Sequence, residues 1–453
     1  MKSWDVVVIG ASAAGLTAGL TTRRHYPEAS VLVLRKEQLI PIPCGIPYVF
    51  GVVGTPEKNL IPADDQLAKE NIDSLVGEVV SVERDEQSVI LASGERIGYQ
   101  RLVVATGSNP IIPPLVGSQL PNVFAIRKDV PSLKQILDAV RVAKSLCIMG
   151  CGFIGVEIAE ECRRQRSDLA IHVVEMLHHC LQLVYDDEFC LKAEEALKAQ
   201  NVSVWLNEEV ASFAGSGSVT GVRLRSGQEF QADVVILGIG ARANIALAEK
   251  AGLEVGPTNG IQVNRYMQTS DPKIYACGDC AEKVSFFDGK PSNLKLASIA
   301  TMEARIAGAN VFATTRMNLG VIGVYSTVLG DQAFAAAGLT RAQAEQKGYR
   351  VAVGQAESIN RHPGCMPGGS PLKVKLLFDA GNMVILGGQV AGAKSGGELI
   401  NVISACIHQR MTADQIAMFQ TGTHPALTAS PIAYQLVNAA EGAIRETKAR
   451  SRS

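Results

Sequence analysis

Two stretches of this chain follow one pattern, and that pattern narrows the possible folds more than any other feature. In the first, the aliphatic run Asp5-Val-Val-Val-Ile9 leads into Gly10-Ala-Ser-Ala-Ala-Gly15, a helix ending near Arg24, and then Ser30-Val-Leu-Val-Leu34. In the second, Ser145-Leu-Cys-Ile-Met149 leads into Gly150-Cys-Gly-Phe-Ile-Gly155, a helix, and Ala170-Ile-His-Val-Val-Glu175. A strand, a Gly-rich turn and a helix in that order aim backbone N–H groups and the positive helix end at a phosphate. The first glycine allows the tight turn, the second close approach of the ligand, and the third packing of helix on strand. The second copy has all three, Gly150, Gly152 and Gly155, while the first carries Ser12 in the middle, which permits a less close approach. Two such units predict two Rossmann-like dinucleotide-binding domains in an α/β fold.

At 453 residues there is room for a third domain. The pattern changes near residue 326, beyond which Val374-Lys-Leu-Leu-Phe378 and Val384-Ile-Leu-Gly-Gly388 read as an antiparallel pair. We therefore expect one nucleotide domain from residues 1–115 and 246–325, a second over 116–245, and an α+β domain over 326–453. A net charge of −1, with no extended Lys/Arg cluster, excludes a nucleic-acid surface. No uncharged apolar run reaches the ~18 residues of a membrane helix, and a strand starting at Trp4 leaves no room for a signal peptide, so a cytoplasmic location is expected. In that compartment the ten cysteines read as reduced thiols, not a disulfide framework.

The first turn offers Gly10, Ser12, Ala13, Ala14 and Gly15 to its dinucleotide, and the second offers Gly150, Gly152, Phe153, Ile154 and Gly155. An acid at the end of the following strand is expected to bind a ribose hydroxyl. In the second unit Glu175 holds that position, and its charge repels a 2′-phosphate, so NADH is favoured over NADPH. In the first unit the position falls on Arg35, which cannot accept a hydrogen bond. Glu37 is the nearest substitute.

With Ala105-Thr-Gly107, Gly238-Ile-Gly240 and Tyr275-Ala-Cys-Gly-Asp279 placed in order around the two turns, the chain resembles the flavoprotein disulfide reductase superfamily over nearly its whole length. The resemblance implies FAD on the first unit, held also by Thr106, Gly107, Gly278 and Asp279. It implies NADH on the second, with Gly240 contributing. It further implies a homodimer, because the third domain in this superfamily serves as a dimerisation domain and completes the partner's active site. Phe153 matches a position often held by a Tyr that shields the flavin, although core packing explains an aromatic there equally well.

Cys44 lies in Pro41-Ile-Pro-Cys-Gly-Ile-Pro-Tyr48, a segment that resembles the branch containing coenzyme A disulfide reductases, persulfide reductases and NADH oxidases, which work with one cysteine. No second cysteine stands four or five residues away. A lone thiol is oxidised only as a mixed disulfide, a persulfide or a sulfenic acid. The peroxidases and oxidases similar to this branch carry a His in the first turn where this chain has Ala13, which favours a sulfur substrate. Thr17 and Arg24 match positions that hold coenzyme A in its disulfide reductases, with Thr21 on the same helix a further substrate candidate, and an exposed helix end explains Arg24 as well. Two tyrosine segments of that branch are replaced here by Gly364-Cys-Met-Pro367 and Gly422-Thr-His-Pro-Ala426. Cys365 is thus a candidate second thiol, and His424 a candidate general acid.

Other features take plainer readings. Cys277-Gly-Asp-Cys280 has redox spacing, but its centre belongs to the flavin motif. His178 and His179 lack partners at metal-ligand spacing, and no metal is expected. The expectation is an FAD-dependent NADH oxidoreductase reducing a small disulfide, persulfide or polysulfide through Cys44. The alternatives are an NADH oxidase or peroxidase of the same fold, or a flavoprotein reductase feeding a protein partner.

Overall fold

Runs that are apolar at every position, and not at every second one, suit strands covered on both faces. The computed structural model, which describes residues 1–450, buries such strands at the heart of two units. In chain order the elements that position the site are β1 (Lys2–Ile9), α1 (Ala13–His25), β2 (Val31–Arg35) and β3 (Arg96–Val104), then β4 (Ser145–Met149), α2 (Phe153–Gln165), β5 (Ala170–Val174) and β6 (Val234–Leu237). These are followed by β7 (Ile274–Ala276), α3 (Ala297–Asn310) and β8 (Val324–Leu329).

The first unit comprises Met1–Pro114, Pro121–Ala143 and Ile239–Val321. Its main sheet pairs β1 with β2 (Val6 opposite Val31), β1 with β3 (Ile9 opposite Val104) and β3 with β7 (Val104 opposite Ala276), all parallel. The C-terminal ends of β1, β3 and β7 therefore emerge side by side. Val6, Val7, Val8, Val33 and Leu34 are fully buried, each contributing about 1.5–3 kcal/mol of transfer free energy. Helix α1 lies close against α3, where a Cβ on Gly308 would meet the Ala18 carbonyl at 2.6 Å and the Thr21 Cβ at 3.0 Å. Small residues at this crossing let the two helices approach, and a leucine in place of Gly308 would force them apart.

The second unit comprises Leu115–Leu120, Lys144–Gly238 and, among the described residues, 322–450. Residues 121–143, expected with the second nucleotide domain, belong instead to the first unit, where Arg141 donates to the Gly54 carbonyl (3.0 Å). In the second unit β4 is flanked by β5 (Met149 opposite Val174) and β6 (Met149 opposite Leu237), again parallel. Residues 322 onward add a five-stranded antiparallel sheet, ordered β8, Gln332–Gly338, Ile385–Gly392, Pro371–Asp379 and Val351–Ile359. The expected pair is present in it, with Val374 opposite Val390. A buried ion pair of Lys375 with Asp186 (2.6 Å), joined by Glu188 (2.6 Å), ties this sheet to the segment after β5. Among the described residues no helix is long and apolar enough to cross a membrane.

Candidate active site

The register of the first sheet brings three of the sequence motifs together. The Gly10–Gly15 turn follows β1, Thr106 and Gly107 follow β3, and Gly278 and Asp279 follow β7. The bonds Ala105 N–H to Ile9 O (2.9 Å) and Cys277 N–H to Val104 O (3.1 Å) carry the pairing to the strand ends. Gly10 has φ +110°, and a Cβ there would lie 2.3 Å from the Ala105 carbonyl; one on Gly15 would lie 1.8 Å from the Gly10 carbonyl. Ser12 precedes α1 without capping it through its side chain, which leaves first-turn N–H groups to an anion. Space beside Gly107 is open. Asp279 accepts from the Ser108 hydroxyl (2.8 Å) and the Lys128 ammonium (3.3 Å), while Thr106 donates to the Asn244 carbonyl (2.7 Å). A cradle of this shape with an anchored carboxylate at its rim fits the pyrophosphate and hydroxyl groups of a dinucleotide such as FAD.

Beneath this cradle lies a buried charge pair that no sequence motif announced. Lys283 donates to the carbonyls of Gly278 (2.7 Å) and Ala281 (3.1 Å) and to Glu303 (3.1 Å), and Glu303 accepts the Gly278 N–H (2.9 Å). Burial pushes the Glu303 carboxyl up to about 7, against the opposing pull of the Lys283 ammonium. The pair fixes the Gly278 turn from behind. Cys277 and Cys280 on the same turn are buried and unbridged, and burial raises both thiols.

Arg35 ends β2 with its side chain only 4% exposed, held bidentate by Asp64 (2.7 Å to each oxygen). The guanidinium thereby lowers the Asp64 pKa. The strand-end acid expected for a ribose is therefore absent, but a carboxylate from the helix Ala63–Lys69 sits against the arginine that replaces it. Glu37 is exposed on the loop beyond.

In the second unit the geometry repeats. Gly150 has φ +102°, a Cβ on Gly155 would lie 2.0 Å from the Gly150 carbonyl, and nothing approaches Gly152. Glu175 is anchored at the turn: its carboxylate accepts from the N–H groups of Cys151 (2.8 Å) and Leu177 (3.0 Å). Phe153 stacks on Tyr325 of β8 at 5.2 Å between centroids and 9° between planes, and Ile154 is exposed. Gly240 lies in the first unit, where its carbonyl accepts from Ile111 (3.0 Å). One expectation is overturned. Cys151, inside the turn, is bonded to Cys180 in a disulfide, so the cysteines are not all free thiols. The two half-cystines stand on segments that the β4–β5 pairing brings within a Cα–Cα distance of 4.9 Å, a proximity the linear spacing hides.

Cys44 is exposed and unbridged. It occupies a short 3-10 turn, Pro43–Gly45, followed by the one-turn helix Ile46–Val49. Asn59, missed in the sequence, fixes this loop: its side-chain amide donates to the Ile42 carbonyl (3.0 Å), and its own carbonyl accepts the Ile42 N–H (2.9 Å). Gly45 packs against this side chain: a Cβ there would meet the Asn59 Oδ1 at 2.0 Å, so the amide would have to move. Among the coenzyme A candidates, Thr17 is half-buried, and Arg24 is exposed and paired with Glu70 (2.6 Å) beside a cavity of 330 Å³ also lined by Arg23 and Lys69. Thr21 faces Gly308 of α3 and takes a packing position.

Cys365 and His424 are both exposed in the second unit. His424 Nδ1 accepts the Ala426 N–H (3.2 Å), which leaves Nε2 as the protonated nitrogen of the neutral ring. The loops that carry the two are joined by a bond from His362 N–H to the Pro425 carbonyl (3.1 Å). His178 is bonded to Asn207, and His179 to Glu194 (3.0 Å).

Residues 4–304 match the family model described as pyridine nucleotide-disulphide oxidoreductase, and residues 324–432 match the dimerisation domain of that family. The chain is 29% identical over 452 residues to an NADH oxidase of Methanocaldococcus jannaschii, covering 97% of this chain and 98% of that protein. It is 32% identical over 394 residues to an NAD(P)H coenzyme A polysulfide/persulfide reductase of Pyrococcus horikoshii, covering 86% and 87%. Among solved structures, an NAD-dependent persulfide reductase from A. fulgidus is similar at a TM-score of 0.89 and 28% identity, over 98% of this chain and 84% of that one.

Proposed function

Because this chain belongs to the pyridine nucleotide-disulphide oxidoreductase family, FAD-dependent enzymes that use NADH or NADPH, we propose a narrower reading: an NADH-dependent reductase of small disulfides, persulfides or polysulfides of the coenzyme A type. The matched dimerisation domain supports a homodimer, and the reading places it in the cytoplasm. The observation that carries it is Cys44, an exposed cysteine outside any disulfide on a loop pinned by Asn59. Relatives named for coenzyme A-dependent sulfur reduction support the substrate class.

The first-unit turn, with Thr106, Gly107, Gly278 and Asp279, would hold FAD, and the second-unit turn with Glu175 would hold NADH. FAD, when bound, supplies a carrier that accepts a hydride and returns an electron pair to sulfur. The Cys44 thiolate attacks the carbon-bound sulfur of a persulfide R–S–SH, forming Cys44–S–S–R and releasing hydrosulfide. Two electrons and one proton then break that bond, restoring the Cys44 thiolate and releasing RSH. With a disulfide R–S–S–R the leaving group is RS⁻, and the remaining balance is the same. Glu175, already held at the turn by two backbone N–H groups, would accept the ribose hydroxyls and disfavour a 2′-phosphate, so NADH is preferred. Arg24, with Arg23 and Lys69 about it, offers cations for substrate phosphates in exchange for its partner Glu70.

The test is Cys44→Ser. Flavin bleaching by NADH should persist while turnover of coenzyme A persulfide or disulfide disappears; retained sulfur turnover would sink the mechanism. The M. jannaschii relative favours a second reading, an NADH oxidase. Oxygen consumption that exceeds persulfide turnover under air would select it.

A further inference from the structure

The proposed mechanism uses one thiol, yet the only disulfide among the described residues lies elsewhere, inside the second Gly-rich turn. Cys151 follows Gly150 directly, and Cys180 follows the segment that Glu175 begins. These two stretches form opposite walls of the cradle expected to hold pyrophosphate and adenosine ribose. Hydrogen bonds join them as well: Cys151 N–H to the Glu175 side-chain carboxylate (2.8 Å), and Leu181 N–H to the Cys151 backbone carbonyl (3.0 Å). Both half-cystines are fully buried. Segment 176–184 itself is irregular and leaves Met176 and Leu183 exposed on either side of the buried Cys180.

We propose that Cys151 and Cys180 form a reversible thiol–disulfide couple that sets the affinity of the second unit for its dinucleotide. The inference rests on the reading that this unit binds NADH. With the bond in place, the turn keeps the open geometry of its counterpart in the first unit: Gly150 has φ +102° against +110° for Gly10, and Gly150 N–H to Val174 O (2.8 Å) matches Gly10 N–H to Leu34 O (2.8 Å). The cystine form is thus the organised cradle. Reduction moves two fully buried sulfurs from bonding to van der Waals distance, which the packed walls around them have to accommodate, and the ligand has to restore the arrangement when it binds. Oxidation is balanced by a low-molecular-weight disulfide: two thiols and R–S–S–R give the cystine and two R–SH. The reverse exchange reduces it. The oxidant is of the same class as the proposed substrate. A rise in small disulfides would accordingly tighten the enzyme's hold on the reductant needed to remove them.

The experiment uses the full-length holoenzyme in a Cys44→Ser background, so that exchange at Cys44 does not interfere, poised in reduced or oxidised glutathione. Alkylation and peptide mass identify the state of Cys151 and Cys180. Affinity is read with ADP-ribose, which carries the pyrophosphate and adenosine ribose but cannot reduce flavin. The oxidised form should bind about five- to tenfold more tightly than the reduced one, with FAD content and flavin absorbance unchanged. Cys180→Ser and Cys180→Ala should bind like the reduced form under both conditions; the glutathione comparison stands even where a variant folds poorly. Equal affinity in the two states, or thiols at 151 and 180 that stay alkylatable after oxidation, overturns the proposal alone. No binding of ADP-ribose in either state overturns the dinucleotide reading together with it.

Discussion

Gly278 and Ala14 face each other where the turn after β7 meets the start of α1: a Cβ built on Gly278 would lie 2.7 Å from the Ala14 Cβ. Gly278 also has φ +78°, a conformation that costs an L-residue about 1 kcal/mol or more. The contact follows from register, since β3 pairs with β1 on one side and β7 on the other. Two motifs far apart in sequence thus become one wall of one cradle.

Gly278→Ala is therefore expected to lower FAD occupancy by about tenfold or more, read as the ratio of flavin to protein absorbance after purification. Gly289→Ala controls for backbone strain alone, because Gly289 also has positive φ (+66°) but open space beside it. Equal flavin loss in both variants would remove the packing argument.

Glu175 is held by two backbone N–H groups at the head of the second turn. Removing a charged acceptor from a ribose costs about 1.5–3 kcal/mol. Glu175→Ala should raise the Kd for NADH by at least about tenfold and narrow the preference for NADH over NADPH, measured by stopped-flow flavin reduction with each cofactor. An unchanged ratio of the two would mean that another group reads the ribose.

The Gly-rich turns, the strand ends and the Gly278–Asp279 turn were legible because each needs particular residues at fixed local spacing. The features that brace them were not. Asn59 on the Cys44 loop, Glu303 under Gly278 and Asp64 against Arg35 act across the fold, and nothing local marks them among ordinary polar residues. Cysteine spacing by itself did not decide pairing: the plain reading of Cys277 and Cys280 held, and the reading of all ten cysteines as free thiols did not. Cys277 and Cys280 stand at redox spacing yet are buried unbridged thiols, whereas Cys151 and Cys180, separated by 29 positions, are bonded because a parallel strand pair carries one to the other.

Arg35 and Asp64 yield a prediction about stability. The guanidinium is nearly inaccessible, while the Asp64 side chain is 62% exposed, so the carboxylate stays partly solvated but the arginine depends on it. Asp64→Asn should destabilise the first unit by about 1–3 kcal/mol, seen as a lower Tm of flavin release. Because the folded state lowers the Asp64 pKa, its contribution is present above the unfolded value of ~3.9 and lost as pH falls through the folded value. The difference between wild type and variant should accordingly vanish under strongly acidic conditions.

Glu157 on α2 behaves in the opposite sense. Burial pushes its carboxyl up to about 7, and the neighbouring Glu161 and Glu160 add to the rise, while a hydrogen bond from the Thr327 hydroxyl (2.8 Å) opposes it. The folded state therefore binds this proton more tightly than the unfolded chain does. Stability from Glu157 is complete below the unfolded value of about 4.3, and it is lost as pH rises through about 7. A shift of that size corresponds to a linkage on the order of 3 kcal/mol. Glu157→Gln keeps an acceptor for Thr327 without the charge. It should leave Tm near that of wild type at pH 5 and raise it at pH 8.5, in thermal melts of the holoenzyme followed by circular dichroism. Equal shifts at both pH values would show that the carboxyl titrates at its ordinary value and that packing alone accounts for the change.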